Sequence, residues 1–477
     1  MKLGFLLVAV VAACGTNGGG GTEVAVDTTT PGRAVPDDFV GLSIEWDNVP
    51  AYLGDGAGGA RAATVRLLRE MVEEGQRPLL RIGGNSQDQH WWNPAGLPRP
   101  PGVLNDIGPG HISTLAALQA QLGAQLVIGL NFALADADNA AALIAAVRAA
   151  IPPTGIQAYE LGNEPDSYVA QGHRVEPWEW ATYFPQVLAF RDAVAARVGT
   201  PIPFQCPSLA GRRWLGDLES GIDGMKDEVD IVSTHVYPYT ACLGLPPPAP
   251  LDLLDDRSTV MVGATYAPHA AAAHEAGLGF RMGELNSVSC GGAPNVSDTY
   301  SAGLWAADLS MQLAVAGVDG VNFHGGAPPG SPSHYAAFVF DATGKPRVQP
   351  VFYGLRLVAL VTAAHGRLVP VEVPAAAPIR AFATLGADGA TRVLLLRVAA
   401  EGEDRVLLRA AGATASLVRL HAPDLTSTTG LTLGGQTWDG TVDGAPVGAA
   451  ATETPSREGD AWVVDLPAYD AAVITVR

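Results

Sequence analysis

The chain holds 477 residues, 48% of them apolar, and carries a formal charge of −19. That apolar content excludes disorder over most of the length, and the length admits one large domain plus a smaller one. The acidic balance, with no basic stripe along the sequence, argues against nucleic acid or an anionic membrane surface as partner. It would also repel an acidic ligand unless a few local donors held it.

Residues 1–14 read as a targeting segment, with Lys2 at the positive start, an apolar stretch from Leu3 to Val11, and small residues at Ala12-Ala13-Cys14. The stretch is too short to span a bilayer. Val11-Ala12-Ala13-Cys14 resembles a bacterial lipobox, which implies a lipid anchor on Cys14 and export to the cell envelope; the plainer expectation is a secretory signal cut nearby. The Gly-rich residues 15–22 follow as a linker.

Eight short apolar runs come next, near 40–45, 78–83, 125–131, 156–162, 202–206, 229–235, 279–284 and 318–324. Between them, residues 113–122 and 139–150 repeat apolar side chains at helical spacing. Eight strands alternating with helices predict a (β/α)8 barrel over 23–364. After about residue 364 the helical period fades, and 392–398, 405–410, 416–421, 461–464 and 471–477 read as strands between turns. A β-sandwich over 365–477 is expected, and the early run 22–28 is a candidate to pair with it.

Polar residues bunch where the barrel runs end: Glu45, Asn85, Asn131, Asn163, Glu164, His235, Tyr237, Glu284, Asn286, Asn322 and His324. In a parallel barrel these ends share one rim, which hosts the active site. Two of them are glutamates in defined settings, Asn163-Glu164-Pro165 and Gly283-Glu284-Leu285-Asn286. Proline cannot extend the ladder, so it ends the strand and fixes Glu164 at the rim. A pair of carboxyls, one protonated and one ionised, is what cleavage of a glycosidic bond requires. Glu164 is expected as acid/base and Glu284 as nucleophile. Glu160 shares the parity of Glu164 one layer deeper and reads as a buried support. His90-Trp91-Trp92-Asn93 and Trp46 read equally as sugar platforms or as core.

No Cys or His spacing matches a zinc or haem site, and no metal or organic cofactor is expected. Of the four cysteines, Cys242 and Cys290 follow neighbouring strands and can form a bridge; the alternative leaves Cys206, Cys242 and Cys290 as free thiols.

Gly41-Leu42-Ser43-Ile44-Glu45, Leu80-Arg81-Ile82-Gly83-Gly84-Asn85, Glu160 to Pro165, Gly283 to Ser287, and Gly291-Gly292-Ala293-Pro294 with Ser297-Asp298-Thr299 together resemble glycoside hydrolase family 79, the β-glucuronidases and heparanases. The resemblance spans the barrel. It implies a retaining mechanism, Glu45 and Asn163 on sugar hydroxyls, His235 and Tyr237 supporting the nucleophile, and Tyr335 with backbone amides around Gly291 on the uronate carboxylate. The chain departs at Ser289-Cys290-Gly291-Gly292, where the family has an aromatic residue and one more glycine. A side chain there limits how near the backbone approaches a carboxylate. The paired lysines of heparanases have no counterpart, which favours exo-action on one terminal uronate. Two other functions stay in view: a β-glycosidase for neutral sugars on the same frame, and a non-catalytic carbohydrate-binding surface lipoprotein.

Overall fold

A computed structural model describes residues 21–242 and 244–477. The expected targeting segment and most of the linker lie outside the described residues.

Eight parallel strands close into a barrel: β1 (Val40–Glu45), β2 (Leu79–Gly83), β3 (Gln125–Leu130), β4 (Ile156–Leu161), β5 (Phe204–Leu209), β6 (Ile231–Val236), β7 (Gly279–Leu285) and β8 (Val321–Gly325). Each pairs with its neighbours in chain order, and β8 returns to β1 through Val321↔Val40 and Phe323↔Leu42. The expected fold class is therefore observed. Leu42, Ile44, Leu80, Ile82, Ile128 and Leu161 are fully or almost fully buried in the apolar cluster that the barrel shares with its helices. Facing inward beneath the rim are polar groups instead: Ser43, Arg81, Glu160, Gln205 and Ser233, all buried. Such a lining is stable only when every member finds a partner.

Beyond the barrel lie a five-stranded and a six-stranded sheet. The six-stranded sheet is covered on both faces. In its strand Thr391–Arg397, Val393 and Leu395 pack against Val24, Val406 and Val464 of the other sheet, while Leu394 and Leu396 join the barrel-side cluster with Phe352 and Leu355. Each such buried leucine contributes about 1.5–3 kcal/mol. The strand Thr22–Val26 runs parallel to Glu403–Arg409 and antiparallel to Val371–Glu372, so residues preceding the barrel in sequence complete the outer sheet. Helices Tyr300–Val315 and Pro350–Thr362 press together between barrel and sheet; a side chain at Gly303 would come within 2.6 Å of the Pro350 carbonyl oxygen. Among the described residues, no helix is long and apolar enough to cross a membrane.

Candidate active site

Glu164 sits just past β4. Its backbone is left-handed at φ +53°, and its N–H donates to the Ser208 carbonyl of β5 at 2.9 Å. That conformation costs a non-glycine residue about 1–3 kcal/mol and persists only where the surroundings impose it. Pro165, lacking an N–H, opens the short turn Pro165–Ser167, and its carbonyl accepts a bond from Trp178 Nε1 at 2.7 Å. The Glu164 side chain keeps 17% exposure, and His235 Nδ1 lies 3.0 Å from its Oε1.

Glu284 lies on β7 beside a register shift. Met282 pairs with Thr234 and Glu284 with His235, leaving Gly283 as the extra residue. A bulge of this kind re-aims the side chain that follows it. Glu284 Oε1 accepts a bond from the Tyr237 hydroxyl at 2.7 Å, and Oε2 accepts one from Arg81 Nη1 at 2.7 Å.

Arg81 ties the layers together. From the middle of β2 it also donates to Glu160 Oε1 through Nε at 2.8 Å, to Asn163 Oδ1 through Nη2 at 2.7 Å and to Ser43 Oγ at 3.1 Å. Both it and Glu160 are fully buried. The second oxygen of Glu160 accepts from Gln205 Nε2 at 2.5 Å and from Ser208 Oγ at 2.9 Å. A buried ion pair adds little net stability, but losing one partner strands a charge. Geometry is what the cluster secures.

The two rim glutamates hold protons very differently. Burial, then the negative charge of Glu284, raises the pKa of Glu164 above the ordinary carboxylate range against the opposing pull of Arg81. Burial also disfavours ionised Glu284, but His324, His235, Arg81 and the Tyr237 hydrogen bond outweigh it and lower the pKa. Arg81 is the permanent cation among these, kept charged by Glu160 and Glu284 despite its burial. Burial pushes His235 down to about 4, so its imidazole is neutral at neutral pH.

Other expected site residues divide into those that converge and those that do not. Glu45 accepts from the Asn85 and Ser86 amides at 3.1 and 2.8 Å, and His324 bridges it to Glu284 at 3.7 and 3.5 Å. Asn163 receives Arg81 on its oxygen and points its amide at Asn85 Oδ1, 3.2 Å away. The Tyr335 ring lies tilted by 30° against that of Tyr237 with ring centres 6.4 Å apart. Tyr237 hydrogen-bonds the expected nucleophile, whereas His235 has its hydrogen-bond contact with the expected acid while also bearing on the charge of Glu284. Asn131 is used elsewhere, holding the His90 carbonyl and the Leu134 amide. Asn322 falls near the start of β8, because that strand begins at Val321, and it bonds the Leu42 carbonyl below the rim. Trp46 is fully buried and belongs to the core. Sequence reasoning left Arg81 and His324 without roles, although an arginine inside an apolar run was a visible signal.

One ligand atom each from Glu164, His235 and Glu284 lie within 4.8 Å of one another. A metal ion accepts that spacing, but the Arg81 guanidinium already bonded to Glu284 opposes a second cation there. The same closeness puts two carboxyls of opposite protonation across one gap.

No protein-family model matches the chain. It is 26% identical over 380 residues to a β-glucuronidase of Neurospora crassa, covering 71% of this chain and 65% of that protein, which is less than two thirds of the relative. It is 22% identical over 394 residues to a β-glucuronidase of Aspergillus niger, covering 73% of this chain and 70% of the relative. Among solved structures, a 4-O-α-L-rhamnosyl-β-D-glucuronidase from Fusarium oxysporum superposes with a TM-score of 0.78 at 22% identity, covering 95% of this chain and 100% of that one. A family 51 arabinofuranosidase from Xanthomonas axonopodis pv. citri gives 0.70 at 15% identity, over 96% of this chain and 100% of that one. These likenesses agree on the barrel with its additional β domain.

Proposed function

We propose that this chain is a retaining glycoside hydrolase that removes a terminal β-linked glucuronic acid. The observation that carries the proposal is a pair of carboxyls with oxygens within 4.8 Å and opposed proton affinities. Retaining pairs stand about 5–5.5 Å apart, whereas inverting pairs need about 6.5–9.5 Å to admit water. In the first step Glu164 gives its proton to the glycosidic oxygen while Glu284 attacks the anomeric carbon. The aglycone leaves as an alcohol, and the sugar stays bound to Glu284 as an ester. In the second step Glu164, now ionised, takes a proton from water, the resulting oxygen attacks the same carbon, and Glu284 departs as carboxylate. Neutral His235 steadies Glu164 in both states. Tyr237 and Arg81 keep Glu284 ionised and aimed.

Uronate recognition is supported by the likeness to the two fungal β-glucuronidases. Glu45 and Asn163 would hold sugar hydroxyls. Cys290 in place of a glycine favours a second reading, a β-glycosidase for neutral sugars on the same frame. Aryl β-glucuronide, β-glucoside and β-xyloside assayed side by side distinguish them: the proposal expects turnover of the glucuronide and fails if only the neutral sugars are cleaved. If no glycoside is cleaved while glycans still bind, the protein is a carbohydrate-binding module instead.

Export with lipid attachment at Cys14 rests on residues 11–14 and agrees with a disulfide between Cys242 and Cys290, which suits an oxidising compartment. Labelled palmitate should enter the expressed protein and be absent from Cys14→Ala; no label in either would overturn the anchor.

A further inference from the structure

We propose that Asp88 is a positioning residue for the acid/base Glu164, acting through the chain on either side of that glutamate. This inference rests on the glycosidase reading above. Asp88 lies in the short turn Asn85–Gln89 that follows β2, and its side chain is buried. Its Oδ1 accepts the Phe132 and Ala133 amides at 2.9 and 3.0 Å, just past the end of β3. Its Oδ2 accepts the Asn163 amide at 2.8 Å and the Tyr168 hydroxyl at 2.7 Å. These last two donors flank Glu164 in sequence. Burial raises the pKa of Asp88, and the bonds from Tyr168, Asn163 and Ala133 oppose that rise.

The segment so held is a strained one. Gly162 stands at φ +81° and Glu164 at φ +53°, so the chain reverses sharply where β4 ends. A glycine adopts such angles freely, whereas a glutamate keeps them only where its surroundings impose them. The Ser208 carbonyl of β5 fixes the Glu164 amide, and Asp88 fixes what comes before and after. A side chain on Gly162 would come within 2.5 Å of the Tyr168 hydroxyl, so the turn and the tyrosine are packed against each other at the carboxyl. The turn that carries Asp88 is itself anchored. Gln87 Nε2 donates to the Leu130 and Glu160 carbonyls, each at 3.2 Å, and Glu45 accepts the Asn85 and Ser86 amides. A buried carboxyl with four donors, each from a defined place on the rim, is a rigid node. Glu284 is held separately, by Arg81 and Tyr237. Without Asp88 the acid should drift while the nucleophile stays aimed.

Asp88→Asn keeps the shape of the side chain but replaces one oxygen by an NH2 group. With its oxygen on the Phe132 and Ala133 amides, its nitrogen faces the Asn163 N–H, and two donors cannot bond. Asp88→Asn, Tyr168→Phe, Glu164→Ala and the parent are compared after near-ultraviolet circular dichroism has shown each folded. The first measurement is kcat on an alkyl β-glucuronide, whose leaving oxygen needs a proton. The second is the rate at which a 2-deoxy-2-fluoro-glucuronyl fluoride labels Glu284, since fluoride leaves without one. Asp88→Asn should lower kcat on the order of a hundredfold, the scale of misplacing a reacting group by about 1 Å, and should label at the parent rate. Tyr168→Phe, which leaves the Asn163 amide its acceptor, should show a smaller loss of the same kind, and it decides alone if Asp88→Asn does not fold. Parent kcat in the deciding variant overturns the inference. So does an equal fall in turnover and labelling, which would mark a general structural role. A parent that neither cleaves nor labels, or a Glu164→Ala that loses labelling as fully as turnover, sinks the proposed function instead, and those two results are read before the other variants.

Discussion

Glu164 and Glu284 are the same amino acid on the same barrel rim, yet one is held toward its acid and the other toward its anion. Among the described residues Glu164 has no cationic donor on its carboxylate; its hydrogen-bond partner is a neutral imidazole, and the negative charge of Glu284 lies close by. Glu284 receives a guanidinium and a phenol and is seven percent exposed. Burial alone would have protonated both. The difference comes from the groups facing Glu284, where His324, His235 and Arg81 together with the Tyr237 hydroxyl outweigh burial, and Arg81 is aimed by Glu160 from a layer below.

That contrast can be broken most severely at the nucleophile. Glu284→Ala should lower kcat on the order of 10⁶-fold, the scale of losing a covalent nucleophile, on good and poor leaving groups alike. Glu164→Ala should cost about 10²–10⁴-fold on an alkyl glycoside and far less on one whose leaving group needs no proton. Equal behaviour of the two variants across leaving groups would contradict the assignment of roles. Arg81→Met should lower stability by about 3–5 kcal/mol, because Glu160 and Glu284 would be left without their buried cation, read as a fall in urea midpoint. It should also move the acid limb of kcat/KM upward, since Glu284 loses the charge that keeps it ionised. Tyr237→Phe removes one hydrogen bond to Glu284 and should cost about ten- to a hundredfold in kcat without a comparable loss of stability.

The pH profile sharpens the comparison without any substitution. Activity requires ionised Glu284 and protonated Glu164. It falls on the acid side as Glu284 takes a proton, below the ordinary carboxylate range, and on the alkaline side as Glu164 loses its own, above that range. A basic limb at an ordinary carboxylate pKa would mean that Glu164 is not held as described.

Much of this was legible from local signals. The strands of the barrel announce themselves as apolar runs, and Pro165 marks where β4 must stop. The strand Ile379–Leu385 escaped because its two alanines carry little β signal, and Thr391–Arg397 shows no alternation because both its faces are covered. Arg81 could be seen in the sequence but not understood: its partners lie 79 and 203 positions away, and only closure of the barrel brings them together. Likewise His235 and Tyr237 are two residues apart, so sequence groups them, while the structure gives each its hydrogen bond to a different glutamate. The positive φ of Cys290 has no sequence signal short of its glycine neighbours.

The central claim is that Glu284 forms a covalent bond to the sugar while Glu164 manages the proton. Incubation with a 2-deoxy-2-fluoro-glucuronyl fluoride, which slows release of the intermediate, followed by peptide mass mapping tests it directly. The account predicts one added fluoro-glucuronyl group, carried by the peptide containing Glu284 and lost in Glu284→Ala. A label on another residue, or turnover of ordinary substrate with inverted anomeric configuration and no adduct, would contradict it.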